Sequence, residues 1–131
     1  MNYKLLAFDM DGTILNSQKK ITPRTLAAIE NLMRSGIYVA VSTGRGLEEL
    51  TDYREDFKHM NYGILISGGL VYDFFKEEPI AIRALDEPTI LKLIDFGLEE
   101  PPMIHLHCVG KSISREEDNP TMAGLGMGLY Q

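Results

Sequence analysis

The sequence predicts an α/β fold built on a parallel sheet, and three observations predict it. Apolar, strand-like runs recur at residues 5–8, 37–41 and 64–66, and a capped helical pattern separates the first two. All three runs break off into small or polar residues, which places three strand ends on one rim. The chain has 131 residues, 44% of them hydrophobic and 24% charged, enough to bury about two-thirds of the unfolded surface in a core.

The first run, Leu5-Leu6-Ala7-Phe8, suits a central strand buried on both faces. It runs into Asp9-Met10-Asp11-Gly12-Thr13. On a strand, residues i and i+2 point the same way, so Asp9 and Asp11 are expected to leave the sheet side by side. Carboxylates that close repel unless a cation lies between them. Hard divalent metals, Mg2+ above all, take one or two carboxylates while substrate phosphate fills other positions. Gly12 permits a sharp turn that aims backbone amides at an anion.

Residues 16–20 form a polar loop. Thr22-Pro23 reads as a helix cap with proline in the first turn. Leu26, Ile29, Leu32 and Met33 share one helical face, and Ser35-Gly36 ends the helix. The second strand, 37–41, completes a βαβ unit and ends in Ser42-Thr43-Gly44-Arg45. There a Thr43 hydroxyl and the Arg45 guanidinium can bind phosphate oxygens, with Gly44 between them. Leu47, Leu50, Arg54 and Phe57 predict a modest helix, frayed near Tyr53. The third strand, 64–66, ends in Ser67-Gly68-Gly69.

The remainder changes character. Residues 70–73 and 79–85 read as a hairpin around Lys76-Glu77-Glu78. Asp86 caps a helix with Pro88 in its first turn and Ile90, Leu91, Ile94 and Leu98 on its apolar side, and Pro101-Pro102 stops it. Residues 103–109 and 112–114 form a second hairpin across Gly110-Lys111. His105 and His107 share a strand face, opposite Cys108. They lack the further ligands that a zinc site needs, so they read as packing or surface residues. Gly124-Leu125-Gly126-Met127-Gly128 lacks the flanking strand and helix of a dinucleotide loop. Asn119-Pro120 reads as a helix cap, since no apolar strand leads into it.

Asp9-Met10-Asp11-Gly12-Thr13, Ser42-Thr43-Gly44-Arg45 and Ile66-Ser67-Gly68-Gly69 together resemble the N-terminal half of haloacid-dehalogenase (HAD) superfamily phosphatases. The spacing is most similar to the Cof-type subgroup, which carries an α/β cap after the third strand. The subgroup reads Ser-x-Asn-Gly where this chain has Ser67-Gly68-Gly69-Leu70. The resemblance implies a Rossmann-like, HAD-like core over residues 1–78, incomplete, and the start of an α+β cap over 79–131. It implies a Mg2+-dependent hydrolase of small, sugar-phosphate-like metabolites, working through an aspartyl-phosphate. Asp9 would be the nucleophile and Asp11 the general acid and base. Asp9 and Asp11 would hold Mg2+, the latter through its carbonyl, and Thr43 the transferring group. The family's lysine and distal carboxylates do not follow, so the alternative is a truncated, non-catalytic fragment or binding module that keeps Mg2+ and phosphate affinity.

The remaining features narrow the partners. A net charge of -6 disfavours nucleic acid and anionic membranes. No apolar run reaches a membrane-spanning length, and the N-terminus lacks a signal-peptide pattern. The single cysteine excludes an internal disulfide and fits a reducing, cytoplasmic setting. If no later strand covers the first one, its open edge predicts that the chain forms a homo-oligomer, swaps an element, aggregates or is a piece of a longer protein.

Overall fold

The computed structural model describes residues 3–99, 105–109 and 111–114. The chain divides into two compact units: residues 1–45 with 50–83, and residues 46–49 with 84–131.

The first unit is a mixed five-stranded sheet in the order β1 (Leu5–Asp9), β2 (Tyr38–Ser42), β3 (Tyr62–Leu65), β4 (Leu70–Asp73), β5 (Glu78–Ile82). The first three strands are parallel, and β4 and β5 return antiparallel as the expected hairpin. Helix α1 (Pro23–Arg34) joins β1 to β2. The Thr22 hydroxyl accepts from the Thr25 amide at 3.2 Å, and Gly36 leaves the helix at φ 79°, the capped start and left-handed stop expected of these residues. Helix α1 packs against β2, whose Val39, Ala40 and Val41 are buried. A 3-10 turn (Glu48–Tyr53) leads into the single helical turn α2 (Arg54–Phe57), shorter than the expected helix.

Strand β1 departs from the expected central position. Among the described residues it lies at the sheet edge with β2 as its one neighbour, and alternate residues face outward, Leu5 at 47% exposure. A strand is buried on both faces only if layers cover both, and among the described residues nothing covers the outward face of Leu5 and Ala7.

In the second unit, α3 (Glu87–Glu99) starts at Asp86, whose Oδ1 accepts from the Thr89 amide at 2.8 Å. Strands β6 (His105–Cys108) and β7 (Lys111–Ser114) form the expected hairpin, His105 opposite Ser114. Pro101-Pro102, Gly110, Asn119-Pro120 and the glycine run at 124–128 lie outside the described residues. Among the described residues, no helix is long and apolar enough to cross a membrane.

Candidate active site

Strand β1 ends at Asp9, and residues 10–14 wind into a tight turn in which Gly12 takes φ 76°. The strand pleat therefore does not itself carry Asp11. The alternation nonetheless continues two residues past the ladder: Met10 is fully buried while Asp9 and Asp11 on either side are exposed. Gly12 has open space where a Cβ would sit, so its positive φ, not crowding, is what favours glycine there.

Asp9 is in register with Ser42, the last residue of β2. Its Oδ2 accepts a long bond from the Thr13 hydroxyl at 3.5 Å. Asp11 is far more engaged. Arg45 reaches it with a two-pronged pair, Nε to Oδ2 at 3.0 Å and a terminal nitrogen to Oδ1 at 3.0 Å. Lys19 adds Nζ to Oδ1 at 2.7 Å. Bonds from Arg45 first and Lys19 second hold the Asp11 carboxyl below its usual range.

Thr43 is buried, and its hydroxyl accepts from the Arg45 amide at 3.2 Å, which leaves the hydroxyl proton to donate elsewhere. Backbone bonds knit this turn to the third strand end. The Thr43 amide donates to the Ile64 carbonyl at 2.9 Å, Ile66 N–H to Arg45 carbonyl at 3.1 Å and Ser67 N–H to Thr43 carbonyl at 3.1 Å. These bonds hold Ile66, Ser67 and Gly68 at φ 52°, 51° and 97°. A β-branched residue rarely adopts that conformation, and such strain, about 1–3 kcal/mol per residue, collects at functional sites.

The sequence brings Asp9, Asp11, Gly12, Thr43, Gly44 and Arg45 to this rim, and the structure adds Lys19. Lys19 stands at φ 58° on a hairpin tip closed by the Leu15–Ile21 bridge. The Tyr53 hydroxyl donates to its carbonyl at 3.0 Å. A cleft of about 500 Å³ opens beside it, lined by Lys20, Asp52, Tyr53 and Asp56.

Among the described residues no three His, Cys, Asp or Glu side chains are gathered for a metal. The donor set still fits Mg2+, which keeps several waters and needs only one or two carboxylates. Asp9 offers a lightly used carboxylate at the strand end, whereas the Asp11 side chain is already taken by its two cations.

His105 and His107 share a face, with rings stacked at 4.3 Å. His107 Nδ1 lies 3.6 Å from Glu49 Oε2, which also accepts the Gly46 amide at 2.5 Å. These contacts lie within the second unit.

Comparison with known proteins gives the family. Residues 6–121 match the haloacid dehalogenase-like hydrolase family. The chain belongs to that family, and within it to the Cof type. It is 36% identical over 73 residues to the 5-amino-6-(5-phospho-D-ribitylamino)uracil phosphatase YcsE of Bacillus subtilis (strain 168), covering 56% of this chain and 29% of that one. Its fold superposes on a haloacid dehalogenase-like hydrolase from Bacteroides thetaiotaomicron with TM-score 0.81 at 20% identity, over 99% of this chain and 51% of that one. A HAD/COF-like hydrolase from Plasmodium vivax gives TM-score 0.75 at 24% identity, over 98% and 47%. The chain spans well under half the length of the curated relatives it matches, 39%, 36% and 29% for three of them.

Proposed function

We propose that this chain carries the nucleophile half of a phosphomonoester hydrolase acting on a small, sugar-phosphate-like metabolite. The observation that carries the reading is the convergence of Asp9, Asp11 and the Thr43–Arg45 turn on one sheet rim. Asp9 attacks phosphorus, the ester P–O bond breaks, and Asp11 protonates the departing oxygen. Water then attacks the aspartyl-phosphate, Asp11 takes its proton, and phosphate leaves. Thr43 and the amides near Gly12 and Gly44 hold the phosphoryl oxygens, with Arg45 as charge-assisted donor.

Asp9, with the Asp11 backbone carbonyl, would hold Mg2+, which supplies charge neutralisation between nucleophile and phosphoryl group. Both Asp11 oxygens are occupied by cations, so the acid role requires the substrate to draw those cations away and Asp11 then to take up a proton from solvent, which it passes to the departing oxygen. The cap expected over residues 79–131 is read as the part that selects the substrate, although its first strand, β5, pairs with the first unit's sheet. The single Cys108 fits a cytoplasmic setting. The open β1 edge supports self-association, which a monodisperse monomer in light scattering would overturn.

The test is Mg2+-dependent hydrolysis of an aryl phosphate by the chain beside its Asp9→Asn variant. The wild type is expected to turn over and the variant to lose nearly all activity. Equal rates remove Asp9 as nucleophile. No activity in either favours the second reading, a module that binds Mg2+ and phosphate without turnover.

A further inference from the structure

We propose that Lys19 is a phosphoryl-binding residue, its ammonium resting on Asp11 and passing to the phosphate when substrate enters. The inference builds on the phosphatase reading and adds a residue to that site. It starts from a mismatch between what Lys19 does for the fold and how it is held. Its side chain is 63% exposed, and ion pairs so open to water contribute only about 0–1 kcal/mol. Its backbone sits at φ 58°, where glycine is comfortable and a side chain costs about 1–2 kcal/mol. For the turn alone glycine or asparagine would serve better, so the ammonium has a use beyond the turn.

The tip is also fixed. Lys19 N–H donates to the Asn16 carbonyl at 2.9 Å, and Asn16 Oδ1 accepts from the Gln18 and Lys20 amides at 2.9 and 3.0 Å. With Tyr53 on the Lys19 carbonyl at 3.0 Å, the side chain is delivered to Asp11 from a braced base. Asp11 does not need it, because the two-pronged Arg45 already serves both carboxylate oxygens.

Charge balance points the same way. Asp9 and Asp11 are cancelled by Arg45 and Lys19. With Asp11 ionised, as in phosphate binding without turnover, a divalent cation on this set leaves two positive charges, matched to a phosphate dianion. Without Lys19 the site falls one charge short. A flexible ammonium with three rotatable donors can move between oxygens a few ångströms apart, which a rigid guanidinium fork does less readily.

The experiment measures inorganic phosphate binding to the full chain in Mg2+, by phosphorus NMR and calorimetry, so it does not depend on turnover. Lys19→Gly relieves the backbone and removes the ammonium. It is expected to melt no lower than wild type yet bind phosphate about tenfold more weakly, the loss of one charge-assisted bond. Lys19→Arg should retain most affinity. Lys20→Gln, with the same loss of net charge one residue away, should weaken binding less than threefold or so, as general screening-limited attraction predicts. Equal binding by wild type and Lys19→Gly, or equal weakening by Lys20→Gln, overturns the role of Lys19. If Thr43→Val still weakens binding in that case, the phosphatase reading stands alone. Absence of phosphate binding by the wild type overturns both.

Discussion

Asp11 in the first unit and Glu49 in the second are both carboxylates paired with a basic side chain, and water reaches them very differently. Asp11 is 41% exposed and gathers two cations, Arg45 and Lys19. Glu49 is 3% exposed and is served by the Gly46 amide and the His107 ring. Exposed ion pairs contribute little to stability, whereas a buried carboxylate must be satisfied locally, and losing it strands its partners. The same chemistry therefore does two jobs. The Glu49 cluster holds a segment in place, and the Asp11 cluster keeps reactive groups charged, accessible and ready to change partner.

Substitution separates the two. Glu49→Ala is expected to lower stability by about 2 kcal/mol, because the buried Gly46 amide and His107 lose a charge-assisted partner. Asp11→Ala should change it by less than about 1 kcal/mol. Urea denaturation followed by circular dichroism measures both. Similar losses would erase the distinction drawn here.

Glycines sharpen the same contrast. A Cβ on Gly46 would lie 2.7 Å from His107 Nδ1, so Gly46→Ala must displace the ring and is expected to cost about 1–3 kcal/mol. Gly12→Ala meets no atom and pays only for its positive φ, about 1 kcal/mol. Hydrogen exchange should place the first loss in β6 and β7 and the second in the turn at residues 10–14.

How far the sequence carries follows from sequence separation. Thr22-Pro23 and Gly36 bracket α1 through bonds within a few residues, so the helix is legible in its own letters. The β4–β5 hairpin is equally local. Asp11 and Arg45 lie 34 residues apart, and only the shared rim of a parallel sheet brings them together, which the motif pattern anticipates without giving the pairing. Lys19 carries no motif. Its place depends on a left-handed backbone that nothing in a lysine announces. Ile66 misleads outright: a β-branched residue in an apolar run reads as strand, but its amide is claimed by the Arg45 carbonyl, and φ turns to 52°. The edge position of β1 is legible only as a condition, that no later strand covers it, because four apolar residues look the same whether one neighbour or two lie alongside.

The smallest expected effect is one of pH, and it belongs to the buried side of the comparison. Burial first, and the neighbouring His107 second, push the His105 imidazole below its ordinary value near 6.5, while Glu49 pulls the other way. A histidine depressed in the folded state binds its proton more readily when unfolded, so stability is full above the unfolded value and declines as pH falls through it. The second unit should therefore loosen as pH falls below the ordinary histidine value near 6.5, visible as faster hydrogen exchange in β6 and β7. Glu49→Gln removes a contribution that favours the protonated ring and should deepen the decline; His105→Gln should flatten it. If His105→Gln leaves the slope unchanged, the response belongs to other groups, and the Glu49 cluster is a static clasp with no sensitivity to protons.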